Sequence, residues 1–190
     1  MRDTTNQILN ASLEVFKSKG YAKATTKEIA RTAGVAEVTL YRQFNTKKAL
    51  FEATLRKHLN LALEETDIDP KTPSETFIPK LLRNRLERMS RQTELISLLI
   101  RESLSDTLPE ALHFDRYVEK RLKSIIIAHL EHSTLCANTD EVTRMIIGVL
   151  LSYVLIPGKE SFHKMQPSDK DGVVNTYSKM ILKAIESKSR

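Results

Sequence analysis

One cysteine, Cys136, stands among 190 residues, and tryptophan is absent. A single thiol excludes an intramolecular disulfide framework and any zinc site built on several cysteines. No apolar run approaches the roughly 18 residues that read as a membrane span, and the N-terminus lacks a signal-peptide core. A reduced, cytoplasmic location without membrane attachment is therefore expected. Glycine is scarce, at five residues, and strand-like alternation is nowhere sustained, which favours an all-α fold. There is also no Gly-rich phosphate loop, no GxSxG and no HExxH, so the chain does not read as an enzyme and implies no cofactor. His129 and His132 stand at i, i+3, but few carboxylates accompany them, and no metal site is expected.

What is present is a divided charge. Residues 1–57 hold 11 Lys+Arg and 5 Asp+Glu, net +6, whereas residues 58–190 hold 19 of each and are neutral. All the excess positive charge lies in one N-terminal segment, as attraction to phosphate would require. The same segment carries TTKEIARTAGVAEVTLYRQFNTKKALF, residues 25–51. Thr25 or Thr26 suits a helix N-cap, with Glu28 placed for a capping box. Ile29, Ala30 and Ala33 share a face, and Gly34 supplies a left-handed stop. A second short helix buries Leu40 and Phe44, leaving Glu37, Val38, Tyr41 and Arg42 pointing elsewhere. Two short helices about a tight turn form a helix-turn-helix, whose second helix enters the major groove of DNA.

Each residue type suggests a role. Thr25 and Thr26, at a helix N-terminus, suit capping or phosphate binding. Val38, Tyr41 and Arg42 follow i, i+3, i+4 spacing. Arg42 suits guanine or phosphate, and Val38 or Thr39 suits a thymine methyl. Glu37 suits either cytosine or the helix N-terminus itself. Ala36 opens the recognition helix, and Lys47 and Lys48 follow Asn45-Thr46, another cap signal.

These residues resemble the DNA-binding signature of the TetR (tetracycline-repressor-like) family. The resemblance is carried by Thr25-Thr26, Ile29-Ala30, Ala33-Gly34-Val35, Thr39-Leu40-Tyr41, Phe44, Lys47 and Leu50-Phe51, with Ala11, Phe16, Gly20 and Tyr21 upstream. It implies that the Tyr41 hydroxyl and Lys47 hold phosphates. Ala36, Val38, Gln43 and Lys48 depart from the residues common at those places. The first three sit where bases are chosen, so the DNA sequence read is this chain's own. About 50 residues match strongly, and the rest match as an all-helical continuation. The expected division is a three-helix DNA-binding domain over residues 1–50 and a helical effector-binding and dimerisation domain over 51–190.

A first helix over residues 4–19 buries Ile8, Ala11, Ser12, Val15 and Phe16, closes at Gly20, and follows an arm carrying Arg2. A long helix from Lys47 to about Glu65 carries Leu50, Phe51, Leu55, His58, Leu59 and Ala62, with Arg56 and Lys57 outside. The polar turn DIDPKTPS, residues 67–74, precedes four amphipathic blocks. The first, near 75–90, has Pro79 near its start or at a kink. The second, 92–105, is apolar nearly all round. The third opens at Pro109 and runs to about His132. The fourth, 141–156, is capped by Asn138 or Thr139 and stopped by Pro157-Gly158. KESFHKMQPSD reads as a mobile loop before a last helix from about Lys170 to Ser187.

The last two helices suit a four-helix dimer interface through Met145, Gly148, Val149, Tyr177, Met180 and Ile181, or else fill the monomer's core. TetR-like proteins pair in this way. A two-fold dimer sets recognition helices ~34–36 Å apart on a palindromic operator. Phe77, Leu81, Leu98, Glu102, His113, Phe114, Tyr117, Met145 and Tyr153 are the residues suited to a small-molecule effector pocket, or to core packing. The resulting expectation is a homodimeric, DNA-binding transcription regulator, a repressor released by a small ligand. The alternative is a DNA-binding protein whose C-terminal part contacts another protein.

Overall fold

A computed structural model describes residues 4–63, 68–105, 107–133, 138–156 and 160–186. The expected features at Arg2, Asp67, Cys136, Pro157-Gly158 and Ser187 lie outside the described residues. Among the described residues every regular element is helical, and none is long and apolar enough to cross a membrane. The chain forms two compact units, Met1–Leu61 with Glu94–Arg116, and Ala62–Thr93 with Tyr117–Arg190.

The first unit holds α1 (Thr4–Lys23), α2 (Thr26–Ala33), α3 (Glu37–Phe44), α4 (Lys47–Leu63) and α6 (Thr93–Leu104) from Glu94 onward. Ile8, Leu9, Ala11, Ser12, Val15 and Phe16 are buried along α1. Buried Ser12 donates to the Ile8 carbonyl at 2.7 Å, so its hydroxyl is satisfied within the helix. At Gly20 the backbone turns to φ 78°, ψ 170°, a region essentially reserved for glycine. That turn brings Tyr21 back onto Phe16 and Phe51, with ring centroids 6.1 and 5.0 Å away; Phe16 and Phe51 meet edge to face at 4.8 Å.

Thr46 opens α4 by accepting the Ala49 amide at 3.0 Å, and Leu50, Phe51, Leu55 and Leu59 are fully buried behind it. Lys57, expected outside, is half-buried, and its Nζ donates to Asn10 Oδ1 at 2.8 Å. In α6, Leu95, Ile96, Leu98, Leu99 and Glu102 are buried.

The helix expected from Pro109 to His132 is not continuous. Pro109 caps a 3-10 turn, Glu110–Leu112, and His113 is extended at φ −63°, ψ 153°. A π-helical turn, Asp115–Glu119, then leads into α7 (Lys120–Leu130). Side-chain hydrogen bonds take the place of helical ones. Ser103 Oγ accepts the Phe114 amide at 2.8 Å, and the His113 Nε2 bonds the Leu108 carbonyl at 2.9 Å.

The second unit packs α5 (Ser74–Met89) against α8 (Thr139–Leu155) and α9 (Pro167–Glu186), with α7 on α8. Phe77, Ile78, Leu81, Leu82, Leu86 and Met89 are the buried apolar face of α5, which carries Pro79 in its interior. Arg85 is buried with them, and burial, helped by Arg88, pulls its guanidinium down to about 10. His129 stacks on Phe77 at 3.8 Å, and both ring nitrogens are engaged, by Ser74 Oγ and by the Pro70 carbonyl, each at 2.8 Å. His132 turns instead to the Ala128 carbonyl, at 2.9 Å.

Asn138 caps α8, accepting the Asp140 and Glu141 amides. The loop read as mobile is anchored in its described part. Phe162 is fully buried in a 3-10 turn, and Ser161 Oγ and the His163 amide donate to Ser90 at 3.0 Å each. One aromatic side chain, buried, offsets the loop's polar composition. Helix α9 starts at Pro167 rather than Lys170, because proline suits a first turn.

Two outcomes follow for the first unit. A Cβ at Gly20 would lie 2.5 Å from Glu102 Oε1. With the backbone strain added, Gly20→Ala should destabilise the protein by about 1–3 kcal/mol in chemical denaturation. His58 has a buried Nε2 that finds no hydrogen-bond partner. Burial first, then Lys57 and Lys17, hold its pKa below the ordinary 6.5, against a backbone hydrogen bond at Leu9. A depressed pKa favours the neutral ring in the fold, so this contribution is complete above pH 6.5 and lost as pH falls through the folded value. The stability difference between wild type and His58→Gln should shrink on acidification below pH 6.5; a difference independent of pH would contradict it.

Candidate nucleic-acid interface

The helix-turn-helix corner is built from α2 and α3, each eight residues. Helices this short are marginal alone, so their geometry depends on caps and on the support beneath. Thr25 is the N-cap of α2, its side chain accepting the Glu28 amide at 3.2 Å. The Glu28 carboxylate turns to Lys19 at 2.6 Å. Gly34 ends α2 in the left-handed conformation, φ 67°, ψ 32°, and the Val35 amide donates to the Ala30 carbonyl at 3.0 Å. Ile29, Ala30 and Leu40 are buried, while Ala33 and Phe44 are half-buried. The α2–α3 corner is thereby fixed from inside.

The outward face of α3 is distinct. Val38 is 74% exposed and Tyr41 45%, both unusual for side chains of this kind. Arg42 is exposed beside them, Thr39 is half-buried, and Ala36 provides the N-cap position without a side-chain bond. Gln43, also exposed, ties the C-terminal end of α3 to α1 by accepting from Thr5 Oγ1 at 3.3 Å. The five residues from Val38 to Arg42 thus place an aliphatic, a phenol and a guanidinium on one surface, a set able to meet methyl groups, phosphates and guanine edges.

Thr26, Glu37 and Tyr41 come together across the corner. Thr26 Oγ1 donates to Glu37 Oε1 at 2.7 Å and lies 3.0 Å from the Tyr41 hydroxyl. Lys47 is turned toward the scaffold. Its Nζ donates to the Ala22 carbonyl at 3.0 Å and sits 4.7 Å over the Tyr21 ring. Burial lowers its pKa below the lysine range, with Glu102 acting in the opposite sense. An ammonium carries three donors, and the Ala22 carbonyl occupies one. Lys48 is exposed.

Sequence reading passed over Lys27 and Arg31. With Lys19, Thr25, Glu28 and Glu37 they border a surface depression of about 610 Å³. Their signal was available, since two cations at i, i+4 share one face of α2.

The residues considered for an effector pocket fall in both units. Leu98, Glu102, His113 and Phe114 belong to the first, and Phe77, Leu81, Tyr117, Met145 and Tyr153 to the second. Phe77, Leu81, Leu98 and Tyr117 are core side chains. Glu102 faces the Gly20 turn and accepts from Thr107 Oγ1 at 2.6 Å. Tyr153 packs edge-on against Phe162 at 6.0 Å, and burial, then Tyr177, raises its pKa. Among the residues considered for dimerisation, Met180 is 56% exposed, Ile181 is buried, and Met145, Val149 and Tyr177 are half-buried. Gly148 is exposed, and a Cβ there would meet nothing within 4 Å.

Comparison with known proteins bears on this geometry. Residues 8–54 match the model of bacterial regulatory proteins of the tetR family. The chain is similar to the uncharacterised HTH-type transcriptional regulator YvkB of Bacillus subtilis, with 43% identity over 72 residues, 36% of this chain and 38% of that protein. The match therefore spans well under half of that relative's length.

Over the whole chain the fold is similar to a TetR transcription regulator from Haloarcula marismortui, with TM-score 0.56, 20% identity and 98% of each chain covered. It is also similar to a TetR-like regulator from Rhodococcus sp. RHA1, with TM-score 0.59, 17% identity, and 95% of this chain and 94% of that one covered. At such identities the structures speak for the fold alone, and the family match is to the N-terminal domain. Residues 8–54 thus carry the N-terminal domain of the tetR family of bacterial regulatory proteins, a helix-turn-helix built on the α1–α4 scaffold, within a chain whose fold is similar to that of TetR regulators.

Proposed function

We propose that this protein is a sequence-specific DNA-binding transcription regulator that acts as a homodimer on a palindromic operator and is released from it by a small effector. The observation that carries the reading is the exposed face of α3, where Val38, Tyr41 and Arg42 stand on a buried, capped corner. A net charge of +6 confined to residues 1–57 supports it, because phosphate attraction dominates non-specific affinity for DNA.

In this reading α3 enters the major groove. Val38 and Thr39 meet thymine methyl groups, and Arg42 meets a guanine or a phosphate. Tyr41, Thr25 and Thr26 contact the backbone, with Lys48 alongside them. Lys47 joins the contact through a donor not taken by Ala22. Lys27 and Arg31 extend the basic surface along α2. Dimerisation through α8 and α9 is supported by the outward exposure of Leu155, Ile156 and Met180, at 43, 49 and 56%, and by the open surface at Gly148. The effector acts as a population shift, favouring a spacing of the two heads that no longer matches successive grooves.

Binding to a duplex selected from random sequence, measured over a range of salt, tests the head. Lys48→Ala should weaken binding to selected and unrelated DNA alike and lower the salt slope by about 0.9, one phosphate contact. Arg42→Ala should cost about 1–3 kcal/mol at one base pair if it reads a base. Should it bind phosphate, affinity for every sequence would fall together, and the salt slope with it. Unchanged affinity in both variants would contradict the assigned face. For the assembly, sedimentation equilibrium at micromolar concentration should give twice the chain mass; a monomer would contradict the dimer.

A further inference from the structure

We propose that Glu37 is a positioning residue, one that holds the backbone-facing hydroxyls of the head in place, and that it does not read a base. The inference deepens the DNA-binding reading of α3 and rests on it.

The geometry fixes a direction of hydrogen bonding. A threonine hydroxyl has one proton. Thr26 Oγ1 lies 2.7 Å from Glu37 Oε1, and a carboxylate only accepts, so the Thr26 proton goes to Glu37. The 3.0 Å contact between Thr26 Oγ1 and the Tyr41 hydroxyl must then run the other way, with Tyr41 donating to Thr26. The result is a directed chain, Tyr41 to Thr26 to Glu37, that crosses from α2 to α3 and ends on the carboxylate.

The chain has two consequences. First, it holds Thr26 in one rotamer and the Tyr41 ring in one place, although that ring is 45% exposed and has little packing to restrain it. A phosphate oxygen arriving at Tyr41 takes the proton that Thr26 accepts in the free protein, an exchange for a charged acceptor made with the ring already in position. Second, the chain engages Glu37 Oε1 and so directs the carboxylate toward Thr26 on α2. Glu37 is half-buried, in the first turn of α3 behind Ala36, whose side chain cannot cap. The free amides of that turn favour a carboxylate there and help to retain it.

A carboxylate on a DNA-facing surface is unfavourable through charge alone, so charge and positioning predict opposite signs. The test uses full-length Glu37→Gln and Glu37→Ala on a duplex selected from random sequence, on its single base-pair variants, and on an unrelated duplex of equal length. Glutamine keeps the acceptor for Thr26 and removes the charge; alanine removes both.

Positioning predicts that Glu37→Gln binds as tightly as wild type or tighter, while Glu37→Ala binds roughly three- to tenfold more weakly than Glu37→Gln, as expected for one hydrogen bond. The loss should be uniform over base-pair variants. Thr26→Val should reproduce it, and it should disappear in a Tyr41→Phe background, where no hydroxyl is left to hold. Equal binding by the glutamine and alanine variants, both tighter than wild type, would overturn the inference in favour of charge alone. A change of preference at one base pair would overturn it in favour of base reading. Wild type that binds neither duplex would overturn the DNA-binding reading together with this one, whereas the other two failures leave that reading intact.

Discussion

Phe16, Tyr21 and Phe51 meet in an edge-to-face cluster with centroid separations of 4.8 and 5.0 Å, and the first unit depends on it. The cluster forms because Gly20 kinks α1 at φ 78°, ψ 170°, which redirects the chain and places Tyr21 against the rings of α1 and α4. Such pairs contribute about 0.5–1.5 kcal/mol beyond their buried area. Lys47 then lies over the Tyr21 ring and binds the Ala22 carbonyl, so the start of α4 is tied to the end of α1. The two eight-residue helices between them inherit a fixed geometry that they cannot generate alone.

From that constraint the division of labour along the sequence follows. Residues 24–50 bury Ala24, Ile29, Ala30, Leu40 and Leu50 and little else, enough to hold a corner. Their remaining side chains are free for chemistry at the surface. The second unit is organised differently, with α5 contributing six buried apolar residues and α8 and α9 packed against it. Its polar groups serve the packing. His129 bridges Ser74 and Pro70 while stacking on Phe77, and Ser90 collects the loop that brings Phe162 into the core. Residues 58–190 carry no net charge, so the excess positive charge falls on the sequence segment that holds the helix-turn-helix.

The sequence made the reading head legible because each feature there has a local cause. Thr25 caps, Gly34 stops, and Ile29 and Leu40 bury, all within a few residues of one another. The α5 stripe and the Asn138 cap were legible for the same reason. What escaped depends on partners distant in sequence. The break at His113 arises because Ser103 takes the Phe114 amide, and Lys57 is drawn in by Asn10, 47 residues away. A polar loop is anchored by one phenylalanine through Ser90, some 70 residues earlier. Glu102, weighed as a pocket residue, faces Gly20 on α1. At the head itself, the residue types of Thr26, Glu37 and Tyr41 were visible, but not the direction of the bonds that join them.

The central claim is that the α2–α3 corner, carried on the aromatic scaffold, is what meets DNA. Hydroxyl-radical footprinting of the full-length protein on a duplex selected from random sequence tests it most directly. Two protected patches are expected on one face of the duplex, about one helical turn apart, and both should be lost when Phe51→Ala loosens the scaffold without touching any exposed residue of α3. Protection that persists in Phe51→Ala, or a footprint lacking the two patches, would contradict it.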